Sequence, residues 1–295
     1  MFAQGSMFKR GTTVRMVMPR EAIFGWKGHV VILIVLQVVL GTVYLSTVPH
    51  FYVDEAWDSS LGYNLAYSGT LRHPFVEGFG GMHIHFVQNR VVVPLVCGVI
   101  FKVAGYSIVA SRIGSLIFGL AAVLSLYVVM CRWFSEEQAF WMVLATMIQP
   151  WFFEVGRRAR PEIYCTALGL VFLWLLIRFF DSRSRGTAFF IGVLAGVSGL
   201  THPNGLILIF AISCAVVFWL EVRSIGRLVQ WASFGLVLVI LPYVIYVFWA
   251  IQDPKVSFAE QMQISTLHRS ILGNEILRWK NFFKPIEFPI VSTGT

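Results

Sequence analysis

The chain reads as an all-α, polytopic helical membrane protein. Three observations predict this: apolar side chains make up 57% of its 295 residues, charged ones only 13%, and mean hydropathy is +0.73. Soluble chains carry about 25% charged residues. A surface assembled from half that share would not keep so apolar a globule in water. The same numbers exclude a disordered tail protein and a disulfide scaffold. Cys97, Cys131, Cys165 and Cys214 lie in or beside apolar runs without metal-type CxxC spacing, so they read as small buried hydrophobes. The net charge of +8 sits at the ends of apolar runs and lacks aromatic interleaving. It therefore predicts membrane orientation and no nucleic-acid partner.

About 20 apolar residues cross a bilayer core. The first candidate span is Val30 to Val48, with Gln37 its one strongly polar side chain. It is too long for a signal-peptide core and no small-residue cleavage site follows it, so it is expected to stay as an anchor. Further candidates are Ile113–Cys131, Gln138–Phe153, Ile163–Ile177, Thr187–Leu200, Leu206–Leu220 and Leu228–Ile251. That gives about seven transmembrane helices. The apolar stretch Val91–Ala104 holds Pro94 and Lys102 and reads as a helix lying at the interface, with an eighth span as the alternative.

Lys9, Arg10, Arg15, Arg20 and Lys27 place the tail 1–27 in the cytoplasm. Segment 28–251 is then the membrane module, its outer loop 49–112 carrying interfacial helices. Segment 252–295 is an outer C-terminal stretch and a candidate start of a longer region. The inner segments carry 11 Lys/Arg against 5 Asp/Glu, the outer ones 12 against 10. Arg157, Arg158 and Arg160 in one short outer loop run against the orientation rule, and such an exception asks for a functional reason.

Four outer segments hold candidate chemistry. In Tyr52-Val-Asp54-Glu55-Ala-Trp57-Asp58, adjacent carboxylates suit a general base or the orientation of a hydroxyl. The plain alternative is an acidic helix start, with Asp54 capping a helix through Ala56–Tyr67. In Glu154-Val-Gly-Arg157-Arg158-Ala-Arg160-Pro161-Glu162, Pro161 fits a first helical turn. Arginines against that N-terminus attract phosphate, which guanidinium forks bind bidentately; the alternative is contact with lipid headgroups. In Thr201-His202-Pro203-Asn204-Gly205, His202 is a further donor to phosphate, or simply part of a turn. His83 and His85 would share one side of a strand and suit a metal, but no third ligand is fixed, so no metal is expected. Walker A, GxSxG, HExxH and Rossmann patterns are absent from the sequence.

The order of these pieces resembles the GT-C superfamily of integral-membrane glycosyltransferases. It is most similar to the bacterial branch resembling protein O-mannosyltransferases and lipid A aminoarabinose transferases. The resemblance covers about residues 25–250. It rests on Asp54-Glu55-Ala56-Trp57 after the first span, Pro94-Leu95 to Phe101-Lys102-Val-Ala-Gly105, and Ala110-Ser111-Arg112-Ile113-Gly114-Ser115. Gly156-Arg157-Arg158-Ala159-Arg160-Pro161-Glu162 and Gly199-Leu200-Thr201-His202-Pro203 complete it. Where the family has a His-Pro-Pro-like element, this chain reads His85-Phe-Val-Gln-Asn-Arg90.

The resemblance implies transfer of a sugar, hexosyl or pentosyl, from a polyprenyl-phosphate carrier on the outer face of the cell membrane, with inversion in one displacement. It implies Asp54 as base, Glu55 positioning acceptor or sugar, Arg157 and Arg160 holding the phosphate, His202 adding a contact, and Glu162 orienting an arginine. Arg158 is not required by the pattern. A monophosphate donor needs no cofactor. Expected partners are the polyprenyl-phosphate sugar, membrane lipids and an acceptor whose nature the sequence leaves open. The rival functions are a transporter, a non-catalytic binder of polyprenyl or phospholipid, and a truncated inactive product. A transporter predicts charge buried mid-span, and the predicted spans carry almost none.

Overall fold

The computed structural model describes residues 23–74, 76, 80–217 and 222–261. Among these, every regular element is a helix and no strand occurs. The helices are α1 (Ile23–Thr42), α2 (Val53–Ser68), α3 (Val92–Ala104), α4 (Ile108–Met130), α5 (Glu136–Met147), α6 (Pro150–Val155), α7 (Pro161–Ser182), α8 (Arg185–Thr201), α9 (Pro203–Val217) and α10 (Val222–Ala250). The tail 1–22 and segment 262–295 lie outside the described residues.

Among the described residues, three helices are long and apolar enough to cross a membrane: Ile108–Met130, Pro161–Ser182 and Ile225–Ala250. The expected span Gln138–Phe153 is broken in two. Pro150 lacks an N–H and opens α6, and Gln149 before it is extended at φ −66°, ψ 129°. The expected span Thr187–Leu200 is α8, whose 17 residues reach about 25 Å, short of a roughly 30 Å hydrocarbon core. The end of the expected span Leu206–Leu220 lies outside the described residues. The helix expected over Ala56–Tyr67 starts earlier, at Val53, with Tyr52 rather than Asp54 at the N-cap. The Tyr52 N–H donates to Glu55 Oε2 at 3.1 Å.

Among the described residues, α7 belongs to the two largest of four apolar clusters. Ile163, Tyr164 and Ala167 on its first half pack with Leu33, Val123, Tyr127, Phe140, Val143 and Met147. Phe172, Leu176 and Phe179 on its second half pack with Ala188, Ile191 and Ile209. The opposite face of α10 leaves Phe234, Val237, Leu238, Leu241, Ile245 and Phe248 exposed. Six large apolar side chains on one helix face suit lipid contact.

Between helices in lipid, attraction comes from close contact of small residues rather than from water exclusion. The α8–α10 crossing follows that rule. A Cβ on Gly192 would run into the Ala232 carbonyl, one on Gly196 would lie 2.8 Å from Val239 Cβ, and one on Gly235 would meet the Phe189 carbonyl. The opposite end of the bundle is tied by polar contacts. Arg132 pairs with Asp181 at 2.8 Å, and Arg227 donates to the Arg183 carbonyl at 3.3 Å.

Gly192→Ala is expected to lower the melting temperature of the detergent-purified protein by several degrees, for an overpacking cost of about 1–3 kcal/mol. Gly28→Ala, where nothing lies within 4 Å of the added Cβ, serves as the control and is expected to leave melting unchanged or raise it. Equal effects would mean that α8 and α10 do not cross at Gly192.

Candidate active site

The site lies where the end of α1, the start of α2, the start of α4, the α6–α7 turn, the loop before α3 and the α8–α9 turn converge. Its frame is a buried ion pair. Glu55 and Arg112 are both 0% exposed. Arg112 Nε and Nη2 donate to the two Glu55 oxygens at 2.9 Å each. The remaining Arg112 donors reach the Leu45 carbonyl at 2.7 Å and the Pro49 carbonyl at 2.9 Å. The Glu55 oxygens also accept the Ala159 N–H at 3.0 Å and the Tyr52 N–H at 3.1 Å. The pair thus ties α2, α4, the 156–160 turn and the chain just after α1 together. All four Glu55 hydrogen bonds are to protein. Glu55, expected to position acceptor or sugar, is thereby placed in the frame behind the opening.

Successive helical residues point about 100° apart. With Glu55 turned inward, Asp54 faces the opening. There it lies 3.2 Å from Arg160 Nη2, which also pairs with Glu162 Oε1 at 2.5 Å. All three are partly exposed, the side chains of Arg160 and Asp54 at 24% and 30%. Arg160 and Arg158 both lie over the Tyr52 ring, 5.2 and 5.3 Å from its centroid. Arg158 is paired with Glu154 at 2.6 Å, and its carbonyl accepts from Ser115 Oγ. Pro161 is the first residue of α7, as its sequence position implies.

Arg157, expected to hold phosphate, is turned into the protein. It is 3% exposed. Its Nη1 donates to the Leu40 carbonyl at 3.0 Å and its Nη2 to the Val43 carbonyl, and the guanidinium covers the Phe153 ring. A cation on the last carbonyls of α1 complements that helix end. With both Nη atoms on backbone carbonyls and the side chain buried, Arg157 does not face the opening.

Besides Arg112, two more charged residues outside the sequence-derived set belong to the site. Asp58 is fully buried, one α2 turn beyond Asp54, and accepts from Arg90 Nη2 at 2.9 Å. Its other oxygen is buried without a partner, as is Arg90 Nε. Burial raises the Asp58 pKa from 3.8 to about 6, with Arg90 opposing and Asp54 and Glu162 adding to the rise. Burial opposes the charge of Arg90, but Asp58, Asp54 and Glu162 outweigh it and raise its pKa. The spacing of Asp54 and Asp58 was a usable signal, because residues i and i+4 share a helix face. Arg90 offered only its place where the family carries another element.

His202 ends α8, and its Nδ1 accepts the Asn204 N–H at 3.1 Å. Burial and Arg90 lower its pKa, with Glu162 opposing, Arg160 lowering and Asp54 opposing. Asp54, Arg90, Arg160, Glu162 and His202 thus act on one another's charge. The backbone ties the parts: Val91 N–H donates to the Leu200 carbonyl at 2.9 Å and Asn89 Nδ2 to the Gly199 carbonyl at 3.3 Å.

His83 and His85 do not share a strand side, because 80–84 is a turn. The His85 ring packs against Trp249 at 4.7 Å. Among the described residues, no three His, Cys, Asp or Glu side chains group as metal ligands. His73 is a packing residue, its ring tilted against Trp57 at 4.0 Å and held by Ser60 Oγ at 3.0 Å; burial lowers its pKa to about 3 and keeps it neutral.

Glu55→Ala is expected to cost about 3–5 kcal/mol, because it strands a buried Arg112. Asp54→Ala on the same helix should cost under about 1 kcal/mol, since its pair is partly open to solvent. Denaturant midpoints in detergent check the order, and comparable losses would refute the frame role. Asp58 titrates higher folded than unfolded, so the stability it contributes is present below pH 3.8 and lost as pH rises through about 6. Asp58→Asn should remove that component of the pH dependence. Parallel wild-type and variant curves across this window would contradict the burial of its charge.

The fold and this mixed-charge cluster can be set against known proteins. No curated protein and no solved structure matches the chain. The family model described as dolichyl-phosphate-mannose-protein mannosyltransferase matches residues 90–249, more than half of the chain. That stretch opens on Arg90 and takes in Arg112, Arg160, Glu162 and His202. The chain belongs to the dolichyl-phosphate-mannose-protein mannosyltransferase family, membrane glycosyltransferases of the GT-C superfamily.

Proposed function

We propose that the protein moves a sugar from a polyprenyl-phosphate carrier to a hydroxyl acceptor by a single inverting displacement. The observation that carries this reading is the contact between Asp54 and Arg160 at the mouth of the site, 3.2 Å apart and both partly exposed. A base and an anion binder are thereby adjacent and open to a ligand.

In the proposed step, the acceptor oxygen attacks the anomeric carbon as its proton passes to Asp54. The bond from that carbon to the phosphate oxygen breaks, and the electron pair leaves with the polyprenyl phosphate. The leaving group gains one negative charge. A cation already in place stabilises it most when that charge appears, which lowers the barrier. Arg160 is assigned this role, Glu162 orients it, and His202 and Arg90 complete the phosphate contacts. Asp58 holds Arg90. Glu55 and Arg157 act from behind by fixing the frame, and Arg158 braces Tyr52. No metal or cofactor takes part in this scheme.

The same reading sets the topology. The chain would cross the cell membrane about seven times, α5 with α6 forming one crossing, with the N-terminus cytoplasmic and the site on the outer face. The positive tail supports that orientation.

Arg160→Ala is expected to weaken binding of a long-chain polyprenyl monophosphate by tenfold or more, about 1.4 kcal/mol. Asp54→Asn should bind that lipid normally but lose about 10²–10⁴-fold in transfer. A transfer rate indifferent to Asp54→Asn would leave a lipid-phosphate binder rather than an enzyme. Binding indifferent to Arg160→Ala would remove the phosphate role of the 157–162 turn.

A further inference from the structure

The family match covers residues 90–249, and on either side of it lie two segments that are joined to each other. One is the loop 80–88, which leads into Arg90. The other is the stretch 252–261 that follows α10. Their junction is a single side chain. Gln261 is 0% exposed. Its Nε2 donates to the Gly80 carbonyl and to the His85 carbonyl, each at 2.8 Å. Its Oε1 accepts the Val87 N–H at 2.9 Å. Every polar atom of the side chain is thus bonded to loop backbone. The Gln261 carbonyl in turn accepts from Gln88 Nε2.

The surroundings are built to admit this contact. Ser257 N–H donates to the Gly80 carbonyl at 3.0 Å. Gly80 and Gly81 have φ of +52° and +72°, where side chains are rarely tolerated. A Cβ on Gly80 would lie 2.8 Å from the Ser257 carbonyl oxygen, and one on Gly81 would meet the Lys255 carbonyl. Val256 packs on Val87 and Ala250. Tyr243 Oη donates to the Val87 carbonyl at 2.7 Å and Tyr246 Oη to the Phe86 carbonyl at 3.1 Å. A loop without helix or strand would otherwise leave these backbone groups buried and unmatched, at about 1–3 kcal/mol each.

The fixed loop has one charged end. Three residues after the Val87 N–H that Gln261 accepts comes Arg90, whose guanidinium reaches Asp58. We propose that Gln261 is a positioning residue: by binding the backbone of loop 80–88 it sets where Arg90 presents its charge to a lipid-linked phosphate. The proposal rests on the phosphate reading of the site. Under it, the site includes a segment beyond the last helix of the family match.

The test is binding of a long-chain polyprenyl monophosphate to the full chain in detergent. Gln261→Met, Arg90→Gln and their double variant are compared with wild type, and Arg160→Ala is measured alongside. Methionine fills the space of glutamine and removes all three bonds, while Arg90→Gln keeps a donor for Asp58. Gln261→Met and Arg90→Gln should each weaken binding by about tenfold, and the double variant should be no weaker than Arg90→Gln, because residues acting through one another are not additive. Losses that multiply, or a Gln261→Met protein that binds as wild type, would overturn the positioning role. If Arg160→Ala and Arg90→Gln both bind normally, the phosphate reading itself fails. Should Gln261→Met not fold, Gln88→Leu, which removes the bond into the Gln261 carbonyl, is judged by the same comparison with Arg90→Gln.

Discussion

The pair between Glu55 and Arg112 is the interaction on which the site depends. Moving an isolated ion from water into a protein interior costs several kcal/mol even after relaxation. Such a pair persists only when its remaining donors and acceptors are met, and here they are. Arg112 reaches two backbone carbonyls besides the carboxylate, and Glu55 accepts two backbone N–H groups besides the guanidinium. The geometry is therefore over-determined. Neither side chain can move without exposing a buried charge, so the ends of four chain segments share one fixed arrangement.

That frame explains the division of labour between neighbours of like chemistry. Asp54 and Glu55 are adjacent, yet helical rotation sends one inward and the other to the mouth. Arg157 and Arg160 lie in the same short turn, yet Arg157 covers the α1 carbonyls while Arg160 faces Asp54. Electrostatics at the mouth is close to balanced, with Asp54, Asp58 and Glu162 facing Arg90 and Arg160. A balanced cluster can be partly buried without large cost, and an incoming anion is met by cations already held in place. On the proposed reading, this preorganisation is what the frame supplies to the reaction.

The helix packing follows from a different constraint. Apolar residues cover lipid-facing and core-facing surfaces alike, so hydrophobicity cannot by itself decide which helices touch. Glycines decide it at the α8–α10 crossing, where a Cβ at Gly192 or Gly235 would meet a carbonyl of the facing helix. Elsewhere α7 joins two apolar clusters by lending each a different half of its length.

The sequence alone determined the helical membrane class, because a composition of 57% apolar and 13% charged residues has few other stable forms. It also located the segments that carry charge at one end of the bundle, since strongly polar runs cannot sit within apolar helices. Motif order was enough to suggest the family. Span continuity was less legible: hydropathy does not register the break that Pro150 makes between α5 and α6. Individual roles in the site needed the tertiary structure. Sequence neighbours such as Asp54 and Glu55, or Arg157 and Arg160, differ only in which way they point, and pointing is set by contacts with distant residues. Arg112, Arg90 and Gln261 join the site through partners 57, 32 and 174 positions away. Separations of that kind leave no local pattern, because only the folded chain brings those atoms within hydrogen-bonding distance.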